Sequence, residues 1–125
     1  YNGGPFFSPD GKRVVFRADR QEKDRLQLYV INADGTGEKQ LTNDPKWVYW
    51  APFWHPDGMH IVYTAADHGD DTRRPNYDLY WMNLDTGKTT RLTSAPGADV
   101  LPVFSPDGKR LMWTSSRGAD RSSQL

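Results

Sequence analysis

The sequence predicts an all-β chain folded as a partial β-propeller, about two and a half four-stranded antiparallel blades. A phrase that occurs three times, and two landmarks that follow it in fixed order, carry that prediction. Pro5-Phe6-Phe7-Ser8-Pro9-Asp10-Gly11 returns as Pro52-Phe53-Trp54-His55-Pro56-Asp57-Gly58 and as Pro102-Val103-Phe104-Ser105-Pro106-Asp107-Gly108. The closing glycines, Gly11, Gly58 and Gly108, recur at intervals of 47 and 50 residues. Downstream, Leu28-Tyr29-Val30-Ile31-Asn32-Ala33-Asp34-Gly35 matches Leu79-Tyr80-Trp81-Met82-Asn83-Leu84-Asp85-Thr86-Gly87, and Gln40-Leu41-Thr42 matches Arg91-Leu92-Thr93. Four short strands in a unit of about 40–50 residues are the sequence form of a propeller blade.

Strand A of each unit is predicted at 5–8 and its two copies. Pro-Asp-Gly then turns the chain, because Pro presets φ, Asp bonds its own backbone and Gly accepts positive φ. Strand B is predicted at 13–16, 60–63 and 110–113, and strand C at 27–32 and 78–83. Asp34-Gly35 and Thr86-Gly87 are the next hairpin turns, leading to strand D at 38–42 and 89–93. No window of ten or more residues has convincing helical periodicity. Both faces of strands B and C are apolar, as expected of a sheet stacked between neighbours.

The predicted blade boundaries are 1–43, 44–94 and, for the first half of a third blade, 95–125. Leu125 stands 17 residues after Gly108, as Leu28 does after Gly11. Strand C of the third blade is therefore expected where the sequence stops. That predicts a piece of a longer protein, with open blade faces that self-associate if the piece is isolated.

Composition narrows the function. Sixteen basic and sixteen acidic residues cancel, so no positive field is available for general nucleic-acid binding. The absence of cysteine excludes disulfides, thiolate metal sites and cysteine nucleophiles. No stretch approaches the roughly 20 apolar residues of a membrane span, so no membrane insertion is expected. Aromatic residues make up 13% of the chain, which suits strands and contact surfaces.

The phrases Phe-Ser-Pro-Asp-Gly-Lys-Arg, Leu-Tyr-Val-Ile-Asn-Ala-Asp-Gly and Gln-Leu-Thr resemble the TolB-type, WD-like propeller repeat over nearly the whole chain. Similar blades occur in the periplasmic TolB protein and in the propeller domains of prolyl-oligopeptidase-like and tricorn-like peptidases. The resemblance implies a protein- or peptide-binding scaffold, non-enzymatic, in the periplasm or otherwise outside the cytoplasm. An accessory propeller that gates the substrate of a peptidase or amidohydrolase is the first alternative. A carbohydrate- or small-ligand-binding propeller is the second. The second unit departs from the repeat at His55, where Ser is usual, and in its long connection 66–76.

Strand alternation puts the A–B and C–D turns at one end and the longer connections 18–26, 43–49, 66–76, 94–99 and 115–124 at the other. Variable loops on a rigid scaffold commonly carry binding residues. Trp47, Tyr49 and Trp50 beside Lys46 are candidate partner-binding residues, since exposed aromatics flanked by charge suit protein contacts. Packing between blades is the alternative role of Trp50. Arg73 and Arg74 could fork onto a carboxylate, and His68 is the remaining candidate. Asp67, His68, Asp70 and Asp71 are metal-like in composition, but their spacing matches no known loop; a solvated acidic loop is expected. A turn hydrogen bond is the expected role of His55. With no nucleophile elbow, phosphate loop or dinucleotide fingerprint, no catalytic residue and no cofactor are expected.

Overall fold

The computed structural model describes residues 2–70 and 72–117. Among these residues the chain forms ten strands and no helix. The first sheet is β1 (Asn2–Phe7), β2 (Arg13–Ala18), β3 (Gln27–Asn32) and β4 (Lys39–Gln40), hydrogen-bonded in that order. The second is β5 (Trp47–Trp54), β6 (His60–Asp67), β7 (Asp78–Asn83) and β8 (Thr89–Arg91), also in order. β9 (Asp99–Phe104) and β10 (Leu111–Ser115) form a third, two-stranded sheet. Every neighbouring pair is antiparallel. Among the described residues no helix is long and apolar enough to cross a membrane.

The recurring phrase is a hydrogen-bonded corner. In the first, Ser8 Oγ donates to Asp10 Oδ1 at 2.6 Å and accepts from the Arg13 amide at 3.0 Å. The third repeats it, with Ser105 Oγ to Asp107 Oδ1 at 2.6 Å and the Arg110 amide to Ser105 Oγ at 3.0 Å. Gly11, Gly58 and Gly108 adopt φ of 72°, 70° and 72°, a region that costs a side chain strain. The Leu-Thr landmark is equally structural. Thr42 Oγ1 accepts from the Leu28 amide and donates to Gln27 Oε1, both at 2.9 Å. Thr93 Oγ1 accepts from Leu79 at 3.0 Å.

Each first strand also carries a bulge just before its Pro. Register shifts fall between Gly3 and Phe6 and between Trp50 and Phe53. The residues before Pro, namely Gly4, Ala51 and Leu101, take φ of 57°, 51° and 56°. Such bulges bend and twist a strand.

Several boundaries differ from the sequence reading. β5 and β6 are eight residues each, because the β-forming run of Trp47, Val48, Tyr49 and Trp50 pairs with Asp67, Ala66, Ala65 and Thr64. Trp47 and Tyr49, expected in a connection, therefore lie within a strand. The outer strands are shorter than expected, two residues in β4 and three in β8. Much of the connection 115–124 lies outside the described residues.

The sheets stack face to face. Val15, Leu28 and Val30 of the first form one core with Trp54, Ile61, Tyr63, Ala65 and Met82 of the second. Burying each such aliphatic side chain contributes roughly 1.5–3 kcal/mol. Backbone bonds cross between sheets at equivalent points: the Tyr49 amide to Leu26 O at 2.9 Å, and the Asp99 amide to Tyr77 O at 2.8 Å. Trp54 Nε1 donates to Phe6 O at 3.0 Å.

The two ends are distinct. Ala33 bonds Lys12 O at 2.8 Å and Leu84 bonds Met59 O at 2.9 Å, joining A–B to C–D turns at one end. At the other, His68 bonds Lys46 O at 2.7 Å, tying the long connection to the start of β5. The first sheet leaves Phe7 66% exposed at the position that Trp54 occupies in the second. On the same face Arg20 covers the stacked Phe16 and Tyr29 rings, at 5.4 and 5.1 Å from their centroids.

Candidate functional site

The loop end of the second sheet holds a cleft of about 390 Å³. Trp47 and Tyr80 form one wall, their rings edge to face at 5.9 Å. Both come from strands, so packing fixes their positions. Asp67, Asp70, Arg73, Arg74, Pro75, Asn76, Asp78 and Arg91 complete the lining. Three predicted residues, Trp47, Arg73 and Arg74, thus meet in one place.

The floor is a buried carboxylate. Asp78 is 1% exposed at the start of β7. Its Oδ2 accepts from Asn76 Nδ2 at 2.7 Å and from Arg91 Nη2, and its Oδ1 accepts from Thr93 Oγ1 at 3.3 Å. A buried charge needs such partners. The first sheet has neutral Gln27 at this position, where Nε2 donates to Asp44 O at 3.0 Å and Trp47 O at 3.2 Å. Asp99, also 1% exposed, opens β9 beside this network. Arg117 Nη2 donates to its Oδ2 at 2.5 Å and Ser115 Oγ to its Oδ1 at 2.6 Å. Burial alone would raise the Asp99 carboxyl, but bonds from Arg117, Ser115 and Thr93 hold it below the usual carboxylate range.

Trp47 and Tyr80 also wall a second groove of about 480 Å³, which runs between the first two sheets past Leu41, Thr42, Tyr49 and Tyr63. Tyr63 stacks on Tyr80 at 5.9 Å. Burial pushes the Tyr49 phenol up to about 12 and raises Tyr63 further. Tyr49 therefore belongs to an aromatic inter-blade wall and is half-buried.

The remaining candidates stand elsewhere. Trp50 packs edge to face on Tyr77 at 5.8 Å, a contact within the second blade. His68 Nε2 bonds the Tyr77 hydroxyl at 2.9 Å. Burial and the Arg25 charge lower its pKa against the pull of Asp67. Asp70 bonds the Thr72 amide at 2.9 Å, the Thr72 hydroxyl at 2.5 Å and Arg73 Nε at 3.1 Å, and these bonds hold it below the usual carboxylate range. Asp71 lies outside the described residues. Among the described residues no three acidic or imidazole groups are arranged to hold a metal ion. His55 makes the expected turn bond, its Nδ1 accepting from the Asp57 amide at 3.1 Å.

Sequence reasoning missed Asp78, Tyr80 and Arg91. A signal existed: a polar residue opens strand C in both units, Gln27 and Asp78, just before an apolar run. Such a residue at a buried strand start must be satisfied by its surroundings.

No protein-family model matches the chain. Among solved structures, TolB from Acinetobacter baumannii superposes with a TM-score of 0.80 at 28% identity, covering 99% of this chain and 28% of that one. A putative TolB from Agrobacterium tumefaciens gives 0.76 at 27% identity, covering 94% and 39%. The chain folds as blades of a TolB-like β-propeller. Among curated proteins, this TolB-like chain is 29% identical to the uncharacterized peptidase YuxL of Bacillus subtilis and 31% identical to dipeptidyl-peptidase 5 of Porphyromonas endodontalis, each over 90% of its length. It spans 21% and 16% of those two proteins. The peptidase relatives overturn the expectation of a non-enzymatic protein. Enzymes that carry a propeller can keep their chemistry in sequence outside the repeats, so the lack of a recognisable catalytic phrase in these blades does not exclude an enzyme.

Proposed function

We propose that this TolB-like chain is the propeller portion of a peptide-cleaving enzyme, and that its loop end admits and orients the peptide. The observation that carries the reading is the cleft beside Trp47 and Tyr80. It combines an aromatic wall with paired and unpaired charges, the combination expected of a site that fixes a peptide's orientation. The two peptidase relatives supply the reaction class. Stacked blades hold the wall rigid, so little ordering cost falls on binding. The cleft, the blade boundaries at 44 and 95, and the candidate residues Trp47, Tyr49, Arg73 and Arg74 are parts of this proposal. Trp50 and His68 support the loops from behind.

The test is hydrolysis of short and long blocked peptides by the full-length protein, with and without the tip of the connection 68–76. The proposal expects cleavage whose dependence on peptide length changes when the tip is removed. Absence of hydrolysis for every peptide overturns it.

The likeness to TolB at a TM-score of 0.80 favours a second reading, a protein-docking surface on the same loop end. The TolB resemblance also supports a place outside the cytoplasm. Fractionation of the source cells tests that location.

A further inference from the structure

We propose that the loop-end cleft is a subsite for a peptide carboxylate, taken by the guanidinium of Arg74; its setting rests on the peptide-cleaving reading above. Three guanidinium groups line the cleft, and two are already held. Arg91 bonds Asp78 and donates from Nε to Thr93 O at 2.9 Å. Arg73 Nε bonds Asp70 Oδ2 at 3.1 Å. Arg74 is exposed and makes no hydrogen bond or ion pair among the described residues.

The acidic side of the cleft is engaged in a complementary way. Asp78 and Asp70 hold the two paired arginines. Asp67 accepts the Gly69 amide at 2.7 Å and makes no ion pair among the described residues. Among the described residues the rim thus keeps one unneutralised cation, Arg74, and one unneutralised anion, Asp67, beside the rings of Trp47 and Tyr80. A peptide supplies the matching groups: a carboxylate for the planar fork of Arg74, N–H donors for Asp67, and an apolar body for the rings. A volume of about 390 Å³ admits a few residues of such a peptide. The carboxylate could be the C-terminus or an acidic side chain.

Calorimetric titration of the full-length protein with three peptides of one apolar sequence tests this. One has a free C-terminus, one is amidated and carries Glu, and one is amidated and carries Gln. The carboxylate peptides are expected to bind about tenfold more tightly than the Gln peptide, the low end for a charge-assisted bond. Whichever of the two binds tighter identifies the source. Arg74→Ala is expected to erase the difference, and Arg74→Lys to keep part of it. Equal binding of all three peptides, or a preference that survives Arg74→Ala, overturns the proposal. Peptide hydrolysis without that preference sinks this subsite alone. A carboxylate preference without hydrolysis sinks the enzymatic reading alone.

Discussion

His55 Nε2 reaches across to the carbonyl oxygen of Gly108, 3.1 Å away, and so joins the second Pro-Asp-Gly corner to the third. Because Nδ1 accepts from the Asp57 amide, the proton sits on Nε2 and the ring donates to Gly108. The first pair of corners makes the same link with a different residue, Arg13 Nη2 to Gly58 O at 2.7 Å. Gly58 and Gly108 thus each present a carbonyl to the blade before them.

The cost of filling these glycines should therefore differ. A Cβ at Gly108 would meet His55 Nε2 at 2.7 Å, whereas one at Gly58 meets nothing within 4 Å. Gly58→Ala should cost about 1 kcal/mol from positive φ alone. Gly108→Ala should cost more, and His55→Ser in the same chain should remove the excess. Urea unfolding of these three variants against the unsubstituted chain measures it.

Ala51 and Leu101 hold the positive-φ position before Pro that Gly4 holds in the first blade. Leu101 is 53% exposed, so its side chain contributes little packing against that strain. Leu101→Gly and Ala51→Gly should each stabilise by up to about 1 kcal/mol, and Gly4→Ala should destabilise by a similar amount. Thermal unfolding reads both signs.

Thr42 is buried and serves both the Leu28 amide and Gln27. Thr42→Val keeps the shape but orphans both groups, which should cost about 1–3 kcal/mol. Thr42→Ser should cost much less. Equal losses in chemical unfolding would show that packing, rather than the hydroxyl, matters there.

Asp99 has a folded pKa below that of the unfolded chain. Its ion pair with Arg117 therefore stabilises fully above about pH 4 and is lost as pH falls through the folded value. Asp99→Asn should flatten the loss of stability on acidification. Unfolding midpoints measured across the acid range compare the two slopes.

Burial raises Tyr49 to about 12 and also raises Tyr63, Tyr77 and Tyr80. Tyr49 and Tyr63 should stay largely protonated at about pH 11, where a free tyrosine is largely ionised, and Tyr77 and Tyr80 should ionise later than a free tyrosine. Ultraviolet titration should show a delayed step. Tyr49→Phe should shrink it.

The repeat was legible because every corner needs the same chemistry. Pro, Asp and Gly each satisfy one demand of the turn, and the Thr of Leu-Thr caps strand C, so these letters return at fixed spacing. Strand ends were less legible. Trp47 to Trp50 read as a connection followed by a strand because local propensity does not say how long the partner strand continues; pairing with 64–67 decided it. The cleft was half legible. Trp47, Arg73 and Arg74 stood out as exposed types in a long connection, but Asp78 and Arg91 lie 13 residues apart and meet only across paired strands. Trp50 looked like a contact residue, yet β5 turns it onto Tyr77.

Amide hydrogen exchange at Tyr49 and Asp99 tests blade stacking most directly, because those amides bond the preceding blade at Leu26 O and Tyr77 O. Stacked blades predict protection at both amides comparable to that within β6 and β7. Exchange at the rate of an open loop, with β6 and β7 still protected, would mean that the sheets form but do not stack, and the cleft that depends on their packing would go with it.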